Sequence, residues 1–241
     1  MGRLANLVRR WLRARPYGVA FRGMSHTRLP ARIRFGGNSR VLSLPDEPLL
    51  VADFVNVVLD DDYGLRTMAP APRTIVDVGG NVGLFTCFAR ELFPEAVIHV
   101  YEPAPGTAAH ARSNIAHPLT LLFAEGVAAK SGRASLIELD SSNLARTRPS
   151  DDGALVLTGF ATVLERIGGR IDLLKVDCEG AEWDFMRDAA LFATVGAIRM
   201  EYHLVDGRTL LDFDRLAEGI GFGVTRLVPN QGFGIAWLDR A

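Results

Sequence analysis

The sequence predicts an α/β fold: a mostly parallel sheet with helices on both faces, closed by an antiparallel hairpin. Three observations predict it. From Arg73 onward, apolar runs of strand length alternate with segments of helical period. TIVDVGGNVG, residues 74 to 83, sits between the first such strand and its helix. GFGVTRLVPNQGFGIAWL, near the end, reads as two strands joined by a Pro-Asn-Gln-Gly turn, too short for a parallel crossover.

Residues 1 to 45 carry ten arginines and no acid, which leaves 17 basic against 28 acidic residues, or −11, in the rest of the chain. A basic head on an acidic body suggests an attached element with its own role. We assign residues 1–70 to a basic helical extension and cap region, and residues 71–241 to the main domain. Leu4, Leu7, Val8, Trp11 and Leu12 fall at helical spacing, with arginines expected on the other face. Such a helix packs on its own domain, caps a site, meets an anionic substrate or rests on a membrane surface; it could also serve a homodimer. It is not a signal peptide, because arginines interrupt every apolar run. No apolar run nears the roughly 20 residues of a membrane span. Two cysteines, Cys87 and Cys178, make no disulfide framework and no metal spacing, so a reducing, cytoplasmic setting is expected.

Short strands are expected at 32–35 and 40–44, and a helix over VADFVNVVLDDDYGLR, 51–66. Next come a strand at 73–78, a helix at 82–92, a strand at 96–103, a helix at 105–116 and a strand at 119–123. Residues 134–139 and 154–157 are strand-like, around a polar loop at 141–153. A helix over 157–167 leads to the strand RIDLLKVD, 170–177. A helix over 180–191, a strand at 195–203 and a helix at 209–219 precede the hairpin.

Ligands of such sheets bind past the carboxyl ends of the strands. Gly79 permits a sharp turn, Gly83 lets the helix start close to the sheet, and Asn81 tolerates positive φ. Glu102 ends the second strand nineteen residues after Gly83, where a carboxylate can accept from both hydroxyls of a ribose. A nucleoside-containing ligand is implied. It is not a dinucleotide of the G-x-G-x-x-G type: from Gly79 the later glycine positions hold Asn81 and Leu84, and from Gly80 they hold Val82 and Phe85. No Gly-Lys-Ser/Thr phosphate loop occurs.

VDVGGNVG, then VYEP, AEGVAAKSG and IDLLKVDCEGAE, resembles the FkbM-type S-adenosylmethionine-dependent methyltransferases over about Arg73 to His203. The resemblance implies a Rossmann-like class I methyltransferase with a seven-stranded sheet whose last strand is antiparallel. Cys178 stands where the family pattern has an aliphatic residue, and residues 1 to 45 have no counterpart. The resemblance implies that Asp77, Gly79, Asn81 and Gly83 surround the methionine half of S-adenosyl-L-methionine. Glu102 would hold the ribose, and residues 124 to 127 would follow the adenine, with Glu125 near its amino group. Asp177 would face the transferred methyl.

Methyl transfer to a hydroxyl needs alignment and a base or a Lewis acid. Asp177, Glu179, Glu201 and His203 stand at strand ends, and Lys175 shares a side of its strand with Asp177. Asp177, Glu201 and His203 are the catalytic candidates. No metal site is assigned, although Asp177 with Glu201 offers hard oxygens. Lys175 and Glu182 read as structural, and Phe54 and Tyr63 either cover the cofactor or pack. The expected function is O-methylation of a sugar or natural-product hydroxyl, on a small-molecule or glycan acceptor rather than a nucleic acid. An Asp-Cys-Glu-Gly strand end does not match the Asn/Asp-Pro-Pro-aromatic block of base-modifying enzymes. The alternatives are an NAD-dependent oxidoreductase and a non-catalytic cofactor-binding module.

Overall fold

The computed structural model describes residues 3–19, 29–30, 32–35, 40–45, 47, 49–137 and 146–241. Its centre is a seven-stranded sheet. In chain order the strands are β3 (Thr74–Val78), β4 (Val97–Tyr101), β5 (Thr120–Phe123), β10 (Ile171–Val176), β11 (Val195–His203), β12 (Phe222–Pro229) and β13 (Phe233–Arg240). Their spatial order is β12-β13-β11-β10-β3-β4-β5. All neighbours run parallel except the pairs made by β13, which is antiparallel to both β11 and β12. The order reverses direction between β3 and β10, so the crevice of the sheet opens past Val78 and Val176.

Helices cover both faces. On one, α3 (Leu84–Leu92) places Phe85 and Phe88 in a core shared with Ile75, Ile98 and the N-terminal Tyr17, Ile33, Leu42 and Phe54. On the other, α5 (Phe160–Arg166) and α8 (Leu210–Gly219) place Phe160 and Phe213 against Val176, Ile198 and Met200. Each fully buried ring contributes about 2–3 kcal/mol relative to exposure. Helix α4 (Pro105–Asn114) lies alongside β5 and the strand Arg40–Ser43.

Five expectations are corrected, the first of them that only the terminal hairpin is antiparallel. β1 (Arg32–Phe35) and β2 (Arg40–Ser43) pair antiparallel. A separate four-stranded sheet, ordered β6-β9-β7-β8, joins β6 (Glu125–Ala128), β7 (Gly132–Ile137), β8 (Arg146–Pro149) and β9 (Leu155–Gly159). The polar stretch 141–153 is therefore not all loop: Arg146–Pro149 is a strand, and residues 138–145 lie outside the described set.

The helix expected over 51–66 changes hand-hold midway. A turn of α-helix, α2 (Leu49–Asp53), passes into a seven-residue π-helix, Phe54–Asp60, ended by Asp61 at φ +57°. The helix expected over 180–191 is broken into α6 (Glu182–Phe185) and α7 (Ala189–Phe192). The Glu182 carboxylate turns inward to accept from the Gly180 N–H at 2.9 Å, and Asp188 caps α7 through the Ala190 N–H.

The first helix, α1 (Arg3–Ala14), is tied to the domain by its arginines. Arg9 and Arg10 bond to Asp60, Arg13 donates to the Leu59 carbonyl, and Ala14 is fully buried. Val8, Trp11 and Leu12 are exposed. A periodicity argument assumes that apolar residues find the core; here a carboxylate and a carbonyl at the end of the π-helix attract the arginines instead.

Candidate functional site

The chain leaves β3 through Gly79 (φ +74°), Asn81 (φ +45°) and Gly83 (φ +89°). Two of these positions admit no side chain. A Cβ on Gly79 would stand 1.7 Å from the Asp177 carbonyl oxygen, and one on Gly83 would stand 2.5 Å from Ile115. The loop is thus pressed against the end of β10 and against the residues that follow α4. Glu102 fixes it from behind. Its carboxylate accepts from the Asn81 N–H and the Ala104 N–H, both at 2.9 Å. Burial pushes Glu102 up from the ordinary carboxylate range, against those two N–H donors.

Under the loop lies a buried charge cluster. β3 and β10 are in register with Lys175 opposite Asp77. The Lys175 ammonium lies 3.3 Å from Asp77 Oδ1 and 3.6 Å from Asp177 Oδ2, and donates to the Gly79 carbonyl at 2.5 Å. Thr86 Oγ1 donates to the other Asp77 oxygen at 2.6 Å. Burial pushes the ammonium down, but Asp77 and Asp177 outweigh it and hold Lys175 up at about 12. Burial pushes Asp177 up to about 7, with Glu201 adding to it and Lys175 opposing.

Beside it is a second cluster. His203 Nδ1 lies 3.3 Å from Glu182 Oε1, and Nε2 lies 3.5 Å from Glu179 and 3.6 Å from Glu201. Glu182 is wholly buried and also accepts from the His203 backbone N–H. Burial lowers the imidazole, but the bonds to Glu182 and Glu201 raise it to about 10, so the ring is an imidazolium at neutral pH. Glu182, in turn, is held below its ordinary range by His203 despite burial. Ring and carboxylate keep each other charged.

Asp177, Glu201 and His203 bring ligand-type atoms within 4.8 Å of one another. Two carboxylate oxygens and one imidazole nitrogen are donors of the type a divalent cation takes.

A cavity of about 230 Å³ opens above the switch point. Gly79, Asn81, Asp177 and Glu201 line it, with Asp53 and Asn56 from the α2–π-helix segment and Asn230 and Phe233 from the hairpin. Tyr63 also lines it and packs edge-on to Phe85 at 5.3 Å; Phe54 is fully buried against Tyr17. Of the residues expected from sequence, Asp77, Gly79, Asn81, Gly83 and Glu102 form the loop and its supports. Asp177, Glu201 and His203 meet at the ends of β10 and β11. Glu125 stands apart on β6, its carboxylate bonded to Arg166 and Thr158. Glu182 is the residue whose place sequence reasoning missed. It was read as structural and does stand in the first turn of α6, but its pairing with His203 across 21 residues has no local sequence signal.

A family model described as the methyltransferase FkbM domain matches residues 77–218. "Methyltransferase 1" of Beauveria bassiana (strain ARSEF 2860) is 28% identical over 169 residues, covering 57% of this chain and 67% of that protein. "Methyltransferase sdnD" of Sordaria araneosa is 26% identical over 227 residues, covering 78% and 83%. Among solved structures, the precorrin-6y C5,15-methyltransferase of Geobacter metallireducens GS-15 aligns with a TM-score of 0.49 at 13% identity, over 76% of this chain and 87% of that one. The matched segment holds the glycine loop, Glu102, the Lys175–Asp177 strand end and the Glu182–His203 pair, and on that span the chain belongs to the FkbM methyltransferase family.

Proposed function

We propose that this methyltransferase uses S-adenosyl-L-methionine to methylate a hydroxyl of a sugar or natural-product acceptor, with Asp177 as the base. The residues present suit that cofactor. The cavity wall carries Asp53, Asp62, Asp177 and Glu201, while its one lysine is tied to Asp77, so the net field favours a cationic ligand. When bound, S-adenosylmethionine supplies a methyl group on a sulfonium, an excellent leaving group.

The protein then has to align and deprotonate. Gly79, Asn81 and Gly83 would bring backbone against the methionine half, Asp77 sets the loop through Lys175 and Thr86, and Glu102, which braces the loop from behind, would hold the ribose. Asp177 carries the reading. Its carboxyl ends β10 beside the glycine loop and lines the cavity, and burial with Glu201 makes it more basic than an ordinary carboxylate, so Oδ can take a hydroxyl proton there. Glu201 raises its basicity. His203, as an imidazolium, fixes Glu201 and Glu179 in place rather than taking the proton itself. Asn56, Asn230 and Phe233 offer amide and aromatic contacts suited to a polar ring.

Two measurements test this. Calorimetry with S-adenosylmethionine should show binding. Labelled methyl transfer across hydroxyl, amine and RNA acceptors should label hydroxyls. Labelling of amines or RNA alone would overturn the acceptor class, and absence of binding would overturn the whole reading.

A further inference from the structure

We propose that α1 docks this protein on the surface of an anionic lipid bilayer. In α1, Val8, Trp11 and Leu12 are 51%, 40% and 53% exposed, a continuous apolar stripe at i, i+3, i+4 spacing. These are three of the ten large apolar side chains exposed among the described residues, gathered within one turn and a half. The stripe is outward because the opposite side is already used: Arg9, Arg10 and Arg13 tie the helix to Asp60 and the Leu59 carbonyl, and Ala14 is buried. The Arg15 guanidinium lies 4.9 Å from the Trp11 ring centre. An apolar stripe with an aromatic residue, edged by arginines, is the pattern of a helix lying at a headgroup boundary.

Charge selects the occupant. Residues 1–45 carry ten arginines and no acid against a net −11 elsewhere, a charge difference that favours an anionic surface as the partner of the head. A second copy is the other occupant such a stripe would take, and the test below separates it from a bilayer. No described helix is long and apolar enough to cross a membrane, so the contact is peripheral. It also reaches the site: Asp60, which Arg9 and Arg10 hold, ends the π-helix whose Asn56 and Val57 line the cavity.

The test is cosedimentation of the full chain with phosphatidylcholine vesicles, with and without phosphatidylserine, at low and high salt. The wild-type chain should sediment with the phosphatidylserine vesicles and be released by salt. A Val8→Ser/Trp11→Ser/Leu12→Ser variant, which keeps every arginine, should lose about tenfold or more in partition coefficient with an unchanged melting temperature. If the triple variant melts early, Leu12→Ser alone and the wild-type dependence on phosphatidylserine carry the test. Equal sedimentation of wild type and variant, or none by wild type, would overturn the proposal. So would a solution dimer that the triple variant dissociates, which would assign the stripe to a second copy. None of these readouts involves methyl transfer, so they stand apart from the proposed reaction.

Discussion

The Lys175 ammonium sits 3.3 Å from Asp77 Oδ1 with the two side chains 4% and 0% exposed, a buried ion pair between adjacent strands. Such pairs add little over apolar packing, but removing one partner strands the other charge without solvent. Lys175→Met should therefore cost about 3–5 kcal/mol. At about 2–4 °C per kcal/mol for a chain of this size, the melting temperature should fall by roughly 10 °C. Asp77→Leu added to Lys175→Met should recover part of the loss. A single variant that melts like wild type would remove the pair from the account of why the loop holds its shape.

Asp177→Asn tests the base. The amide keeps the shape and the approach to Gly79 but cannot take a proton. Turnover should fall by about 10²–10⁴-fold, with cofactor affinity little changed. The pH profile has a definite sign: the base works ionised, so kcat/KM should rise with pH and level off above about 7. A flat profile through that region, or an active Asp177→Asn, would move the proton transfer elsewhere.

The sheet was legible because buried parallel strands are short apolar runs that β-α alternation punctuates. The loop was legible because Gly79 and Gly83 occupy positions where a Cβ has no room. The less legible parts share a cause: a polar side chain turned inward. Glu182 turns its carboxylate to the His203 N–H and ring, and the Asp188 cap starts α7 afresh after α6 ends. Asp60 ties Arg9 and Arg10 of α1 to the π-helix and leaves Val8, Trp11 and Leu12 exposed. The four-stranded sheet around β6 was missed because it is built by pairing across sequence, Glu125 with Val156 and Gly132 with Leu157, which no local period records.

His203 gives stability a pH dependence opposite in sign to that of a salt-bridged carboxylate. Its folded value, about 10, lies above the ordinary histidine value of about 6.5. The imidazolium contribution is therefore complete below about 6.5 and is lost as pH rises through about 10. His203→Gln should flatten that slope. At neutral pH it should also cost about 3–5 kcal/mol, because Glu182 is left buried and charged without its partner. Thermal melts of both proteins across this range should converge as pH climbs; parallel curves would show that the ring is neutral in the fold.

Gly79→Ala asks whether the loop is a cradle or merely a turn. At φ +74° an added Cβ meets left-handed backbone strain of about 1–2 kcal/mol. The larger problem is position: the Cβ would stand 1.7 Å from the Asp177 carbonyl oxygen, a backbone atom that cannot rotate away. The loop must lift off β10, carrying with it the Gly79 carbonyl that Lys175 holds. Cofactor affinity should then fall by about tenfold or more, equivalent to about 1.4 kcal/mol. Gly132→Ala is the control, since nothing lies within 4 Å of its added Cβ. Calorimetry with S-adenosylmethionine separates the cases: a Gly79→Ala protein that binds like the Gly132→Ala control would mean the cofactor is held away from this loop.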